Sequence, residues 1–260
     1  MSTFLLVHGA WHSGQCWERV VPLLASAGHR VVAPSLTGHG DKAHLLGPEV
    51  GLDTHVDDIV RLITEEDLTD VILVGHSYAG LVISSAANRI PDRIAHLVYL
   101  DAMVPEDGEN AIDVHPVTQS LIDRAAESEA GWRIPPMPEL PPPLGLFGVT
   151  DPADMAWLRT MLSDQPVLCF RQPVRLDNPA VHTIPRTHIH WRRRRTGGHQ
   201  AAARPSDTAQ RQPGAGVGTG DGPRLHDHHA GRAHRTAAQA RLTATSTTAG
   251  CRLRGSRLCR

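Results

Sequence analysis

"VGHSYAG", residues 74–80, follows directly on the apolar residues "VIL" at 71–73 and runs into "LVISSAANRI" at 81–90. The run "TDVILVGHS" (69–77) reads as a buried strand, because its apolar residues are near-continuous rather than alternating. "YAGLVISSAANRI" (78–90) reads as a helix that stops before Pro91. A serine on a tight turn between a strand and a helix is the setting of a nucleophile elbow, and its neighbours there must be small. Gly75 and Gly80 meet that demand, while Ala79 stands where the usual pattern has glycine. The competing reading is an ordinary N-cap serine. Ser77 is the candidate nucleophile.

Outward from this turn, strands and helices alternate. "TFLLVH" (3–8), "HRVVAPS" (29–35) and "RIAHLVYLDA" (93–102) read as further strands, and "HTIPRTHIH" (182–190) as a last one. "QCWERVVPLLASAG" (15–28) has helical spacing and ends at Gly28, and "LDTHVDDIVRLITEE" (52–66) is helical with Asp53 or Thr54 as N-cap. This pattern predicts an α/β fold with a mainly parallel sheet flanked by helices. Residues 103–180 are proline-rich, with "IPPMPELPPPLG" at 134–145 and helices expected at 117–129 and 151–163. They read as a helical cap inserted into a core that spans 1–190.

A second motif, "VHGAWHSGQCW" (7–17), closes the first strand. A His-Gly segment there supplies a backbone N–H to an oxyanion hole, and the expected donors are the amides of Ala10 and Tyr78. Trp11, Tyr78, Trp132 and Trp157 are candidates to line an apolar acyl or alcohol pocket, with core packing as the plainer reading. His8 and His76 flank the oxyanion loops and read as structural.

On these residues, and on "FLLVHGAWHSGQCWERVVPLLASAGHRVVAPSLTGHG", "VILVGHSYAG" and "LVYLDAMVPEDGE", the chain resembles the α/β-hydrolases. The branch is that of plant methylesterases, hydroxynitrile lyases and their bacterial esterase relatives. The resemblance covers about 1–190. It implies a Ser-His-acid triad, a helical cap after Asp101, and hydrolysis of small carboxylic esters through an acyl-enzyme without metal or cofactor. In the lyases a threonine follows the oxyanion-loop histidine; Gly9 stands there here, which favours ester hydrolysis over cyanohydrin cleavage. A non-catalytic remnant, or a binding protein using the same pocket, is the rival from another class.

The resemblance also places the catalytic histidine in a "GHD"-like turn after the last strand, and no such turn is present. From 191 to 260 the only large apolar residues are Trp191, Val217, Leu225, Leu242, Leu253 and Leu258, too few to offset the conformational entropy of ordering the segment. The codons of "VGTGDGPRLHDHHAGRAHRTAAQA" (217–240), read one nucleotide later, permit Trp-Glu-Leu-Glu-Thr-Gly-His-Asp-Cys-Met-Ile-Thr-Met-Pro. That string has the missing strand, the histidine turn and the start of a helix. The expectation is therefore an out-of-frame tail from about 191, with the C-terminal strand and helix missing. His226, in "HDHH" (226–229), is the stand-in base. Asp101, at the end of the fourth strand, is an alternative location for the acid, which relatives carry just past His190.

Composition narrows the rest. The 260 residues carry a formal net charge of −1, so overall charge points to no nucleic-acid or membrane partner. Lys42 is the single lysine, and the arginine-rich tail lacks the interleaved aromatics of an RNA-binding segment. No scaffold orients "HDHH" as a metal site. The four cysteines have no paired or metal-type spacing, and "MSTFLLVHGAW" lacks a signal-peptide pattern, so a cytoplasmic protein with free thiols is expected.

Overall fold

The computed structural model describes residues 1–127 and 129–190. Strand β1 is Thr3–Val7, β2 Arg30–Val32, β3 Val71–His76 and β4 Ile94–Leu100. Helix α1 is Val21–Ser26, α2 Leu52–Glu65 and α3 Ala79–Arg89. The cap carries α4 (Ala111–Val114), α5 (Thr118–Ala126), β5 (Arg133–Ile134), α6 (Pro152–Arg159), β6 (Gln165–Pro166) and α7 (Leu168–Arg171). Strand β7, Arg186–Ile189, returns to the main sheet.

That sheet has five parallel strands in the order β2-β1-β3-β4-β7. β1 lies in the sheet's interior, next to the strand that delivers Ser77. The apolar runs behave as continuous runs should: Leu5, Val7, Val71, Leu73 and Leu97 are all fully buried. Helix α3 is buried along nearly its whole length, from Ala79 to Asn88, which explains the small residues in "SSAAN". Helix α2 shows one face to the core through Leu52, Val56, Ile59 and Ile63. Each such side chain stabilises the fold by roughly 1.5–3 kcal/mol on burial.

The structure corrects several local expectations. The helix expected at 15–28 is a 3-10 turn at Gly14–Trp17 followed by the shorter α1, which begins just before Pro22. Proline fits a first helical turn but not an interior, so the two pieces do not fuse. Gly28 does terminate it, at φ +85. The N-cap of α2 is Gly51 rather than Asp53 or Thr54, and Thr54 Oγ1 accepts the Gly51 N–H. The strand expected at 182–190 is confined to β7, because Pro179–Thr183 form a 3-10 turn and Pro185 precedes the ladder.

The cap holds both expected helices as α5 and α6, and adds a two-stranded antiparallel ribbon, β5–β6. Among the described residues no helix is long and apolar enough to cross a membrane.

Candidate active site

Ser77 has φ +53, left-handed backbone that a non-glycine residue rarely adopts. Strained residues persist where their surroundings over-determine them. Here the Ser77 N–H donates to the Leu100 carbonyl at 3.3 Å, and the Ser77 carbonyl accepts the Gly80 and Met103 N–H groups at 3.1 and 3.0 Å. A β-carbon on Gly80 would overlap the Met103 carbonyl oxygen, so glycine is required there for the chain to pass. Ala79, the departure from the usual pattern, is fully buried and accommodated. The first residue of α3 is capped by Tyr78 without a side-chain bond, and no described residue engages the Ser77 hydroxyl. Ser77 is therefore not a capping serine.

The loop after β1 faces this turn. Among the described residues neither the Ala10 nor the Tyr78 amide has a hydrogen-bond acceptor. Tyr78 itself is buried, and its hydroxyl donates to His55 Nδ1 at 3.1 Å, while His55 Nε2–H donates to the Thr37 carbonyl at 3.0 Å. Its side chain thus belongs to the core, and only its amide is available to a reacting group. Burial, then the neighbouring Cys169, pushes the phenol well above its ordinary range.

The loop is lined with buried histidines. His8 Nδ1–H donates to the Gly9 carbonyl at 2.9 Å and Nε2 accepts the Leu36 N–H at 3.0 Å, which fixes its tautomer. His12 Nδ1–H donates to the Ala10 carbonyl at 2.7 Å, and His39 Nδ1 lies 2.7 Å from Ser163 Oγ. Burial lowers the basicity of all of them. It holds His8 well below the usual value, and His39 at about 3, helped by His55 and His12. His55 falls to about 4 by burial, and His76 to about 4 by burial and the charge of His12. A histidine this weak is a poor acceptor for a serine proton at neutral pH.

Asp101 sits at the end of β4 with φ +43, exposed, its N–H donating to the Ile189 carbonyl at 2.7 Å. His190, directly after β7, places Nδ1 3.9 Å from Asp101 Oδ1. This pairing across neighbouring strand ends is not readable from either segment alone. His226 lies outside the described residues.

Trp11 is buried against Phe170 and Phe147, with ring centroids 6.1 and 5.8 Å away. Trp132 is half-buried under the Arg133 guanidinium and Trp157 under that of Arg19, so both serve the cap surface. The aromatic residue that sequence reasoning missed is Phe147. The turn "GLFG" (145–148) projects it onto Trp11 and onto His12, 5.0 Å away. Its signal was an aromatic residue between two glycines, Gly145 and Gly148, both at positive φ.

Among known proteins, the chain is 52% identical over 116 residues to a carbendazim hydrolyzing esterase of Nocardioides sp. (strain SG-4G), covering 45% of this chain and 48% of that one. It is 36% identical over 105 residues to methylesterase 2 of Arabidopsis thaliana, covering 40% of each. The chain thus spans about half the length, or less, of these curated relatives. A solved structure of an extracellular alpha/beta-hydrolase from a Paenibacillus species, described as homologous in structure and function to tobacco salicylic acid binding protein 2, superposes with a TM-score of 0.59. It is 26% identical and covers 72% of this chain and 76% of that one. The model of the alpha/beta hydrolase family matches residues 4–239. A parallel sheet delivering a strained serine beside free backbone amides, together with that match, means that the chain belongs to the alpha/beta hydrolase family.

Proposed function

We propose that the protein is a serine hydrolase of small carboxylic esters with apolar or aromatic groups. The observation that carries this reading is Ser77 in left-handed backbone between β3 and α3, facing the unengaged amides of Ala10 and Tyr78. Ser77 Oγ attacks the ester carbonyl while its proton passes to a base. The carbonyl oxygen takes up negative charge between the two amides, and such donors are worth about 10²–10³ in kcat each. Collapse expels the alcohol, which recovers the proton, and water then releases the acid from the acyl-serine by the same steps. The 52% identity to a carbendazim hydrolyzing esterase, against 33% to an alpha-hydroxynitrile lyase of Arabidopsis thaliana, supports this class over cyanohydrin cleavage.

The resemblance puts the base beyond residue 190, outside the described residues; we read that tail as out of frame, with His226 as the stand-in. His39, His55 and His76, which lie around the loop, are too weakly basic for the role. Asp101, exposed at the end of β4 and 3.9 Å from His190 Nδ1, is the candidate acid. The free thiols Cys16 and Cys169 fit a reducing compartment, which supports a cytoplasmic location.

The test, on the frame-restored protein, is hydrolysis of p-nitrophenyl acetate and of carbendazim, with mandelonitrile cleavage measured alongside. Turnover of the esters that is lost in Ser77→Ala supports the reading. Mandelonitrile cleavage without ester turnover overturns it.

A further inference from the structure

Trp11 carries φ +66, a conformation in which a bulky side chain is held only at a cost. Three hydrogen bonds hold it, and all three come from the cap. Gln165 Oε1 accepts the Trp11 backbone N–H at 3.1 Å. The Ile134 carbonyl accepts the Trp11 indole N–H at 3.0 Å. The Ser163 N–H donates to the Trp11 carbonyl at 2.8 Å. Ile134 and Gln165 are the paired residues of the β5–β6 ribbon, so this small sheet grips the oxyanion loop at one point.

Gln165 is fully buried, and its Nε2 has no nitrogen or oxygen partner among the described residues, only the Cys169 thiol as a weak neighbour. A buried donor left unpaired costs free energy that an apolar side chain of the same shape would avoid. What glutamine supplies and methionine does not is the acceptor for the Trp11 N–H. That N–H lies in the peptide plane shared with Ala10. The His12 ring holds the carbonyl of the same plane, and His8 holds the carbonyl of the Gly9–Ala10 plane that carries the Ala10 N–H. With Gln165 in place, both peptide planes around Ala10 are fixed, and the Ala10 amide has one direction.

We infer that Gln165 is a positioning residue: from the cap, through the Trp11 amide, it fixes the loop that presents the Ala10 N–H to the oxyanion formed at Ser77. This rests on the ester-hydrolase reading above.

The experiment uses the full chain and phenylboronic acid, whose tetrahedral, negatively charged adduct with a serine needs oxyanion donors and forms at equilibrium without a catalytic base. Adduct affinity is measured by calorimetry for the unsubstituted protein, Gln165→Met, Gln165→Glu and Ser77→Ala. Amide exchange of the 8–13 segment is followed in parallel. A buried glutamate is held protonated and keeps a carbonyl acceptor. The expected result is that Gln165→Met weakens the adduct by about tenfold or more. Gln165→Glu stays within about threefold of the unsubstituted chain. Exchange at Trp11 should quicken in the methionine variant alone. Unchanged affinity in Gln165→Met overturns the inference, as does equal weakening in both variants. Affinity indifferent to Ser77→Ala strikes instead at the hydrolase reading, and the exchange data then still report whether the grip on Trp11 exists.

Discussion

Gly9 and Ser77 come from different strand ends yet nearly touch: a β-carbon on Gly9 would lie 3.1 Å from Ser77 Cβ and 2.9 Å from the His76 ring. The oxyanion loop and the nucleophile turn are thus packed backbone to backbone. No side chain can be inserted between them without moving one or the other. Glycine here sets the separation between Ser77 and the amide of the next residue, Ala10.

Gly9→Ala is therefore expected to cost about 1–3 kcal/mol of stability through overpacking and to damage catalysis more than that loss alone would. Displacement by a few tenths of an ångström suffices, since misplacement by about 1 Å can cost about 10²-fold in rate. The measurement is kcat/KM for p-nitrophenyl acetate beside the thermal midpoint. A rate within about twofold of the unsubstituted enzyme contradicts the idea that this contact sets the site's geometry.

Ser77→Ala in a frame-restored protein is expected to abolish turnover and labelling by an organophosphonate, while the protein folds normally. Ser77 makes its structural contacts through its backbone, and alanine preserves those. Labelling that persists in the variant refutes the assignment.

Acid is expected to destabilise the protein below neutral pH. His8, His39, His55 and His76 are held neutral in the fold by burial, with His39 at about 3 and His55 and His76 at about 4. Once unfolded they titrate near about 6.5. As pH falls through that value the unfolded chain binds protons that the folded chain refuses, so stability drops from there down towards the folded values. Each such histidine contributes up to about 1.4 kcal/mol per pH unit across the window. Urea midpoints at pH 7.5, 6 and 5 measure the slope, and His39→Gln is expected to make it shallower. A flat profile between those pH values rules out the buried-neutral assignment.

The sequence made the sheet legible because its signals are local. Val71–Val74 and Phe4–Val7 are continuous apolar runs, and Pro91 and Gly28 mark helix ends. The turn that carries Ser77 and the loop that carries Ala10 were legible as strand ends for the same reason, as short motifs. The grip of Gln165 on Trp11 joins residues 154 positions apart through a side chain that no periodic pattern marks. The Asp101–His190 pairing depends on β7 lying beside β4, which is a fact of topology. Short elements such as Gly14–Trp17 escaped because 3-10 turns lack the repeat that identifies a longer helix.

The chain as written is expected to be a poor enzyme, and a one-nucleotide correction near codon 190 to restore it. The proposed nucleophile and oxyanion donors precede residue 81, so they are the same in either reading frame. On the proposed reading the general base is not, because the resemblance places it after the last strand, in the segment that the shifted frame permits. A serine hydroxyl without a base is a weak nucleophile at neutral pH. Loss of one triad member still leaves a residual acceleration of roughly 10³–10⁴ over water from the oxyanion hole and binding. The structure adds a second consequence. β7 has β4 on one side and no partner on the other among the described residues, and its burial pattern is largely exposed. A strand with one open edge is prone to pair with other chains. The codons of 217–240, read one nucleotide later, permit a further strand for that edge, so on the out-of-frame reading proposed above correction is expected to raise solubility as well as activity. The two versions are expressed side by side and compared for soluble yield and for kcat/KM on p-nitrophenyl acetate. Comparable rates in both, abolished in the uncorrected chain by His226→Ala or by His190→Ala, would show that this chain completes its own triad and that the tail is not an out-of-frame translation in need of repair.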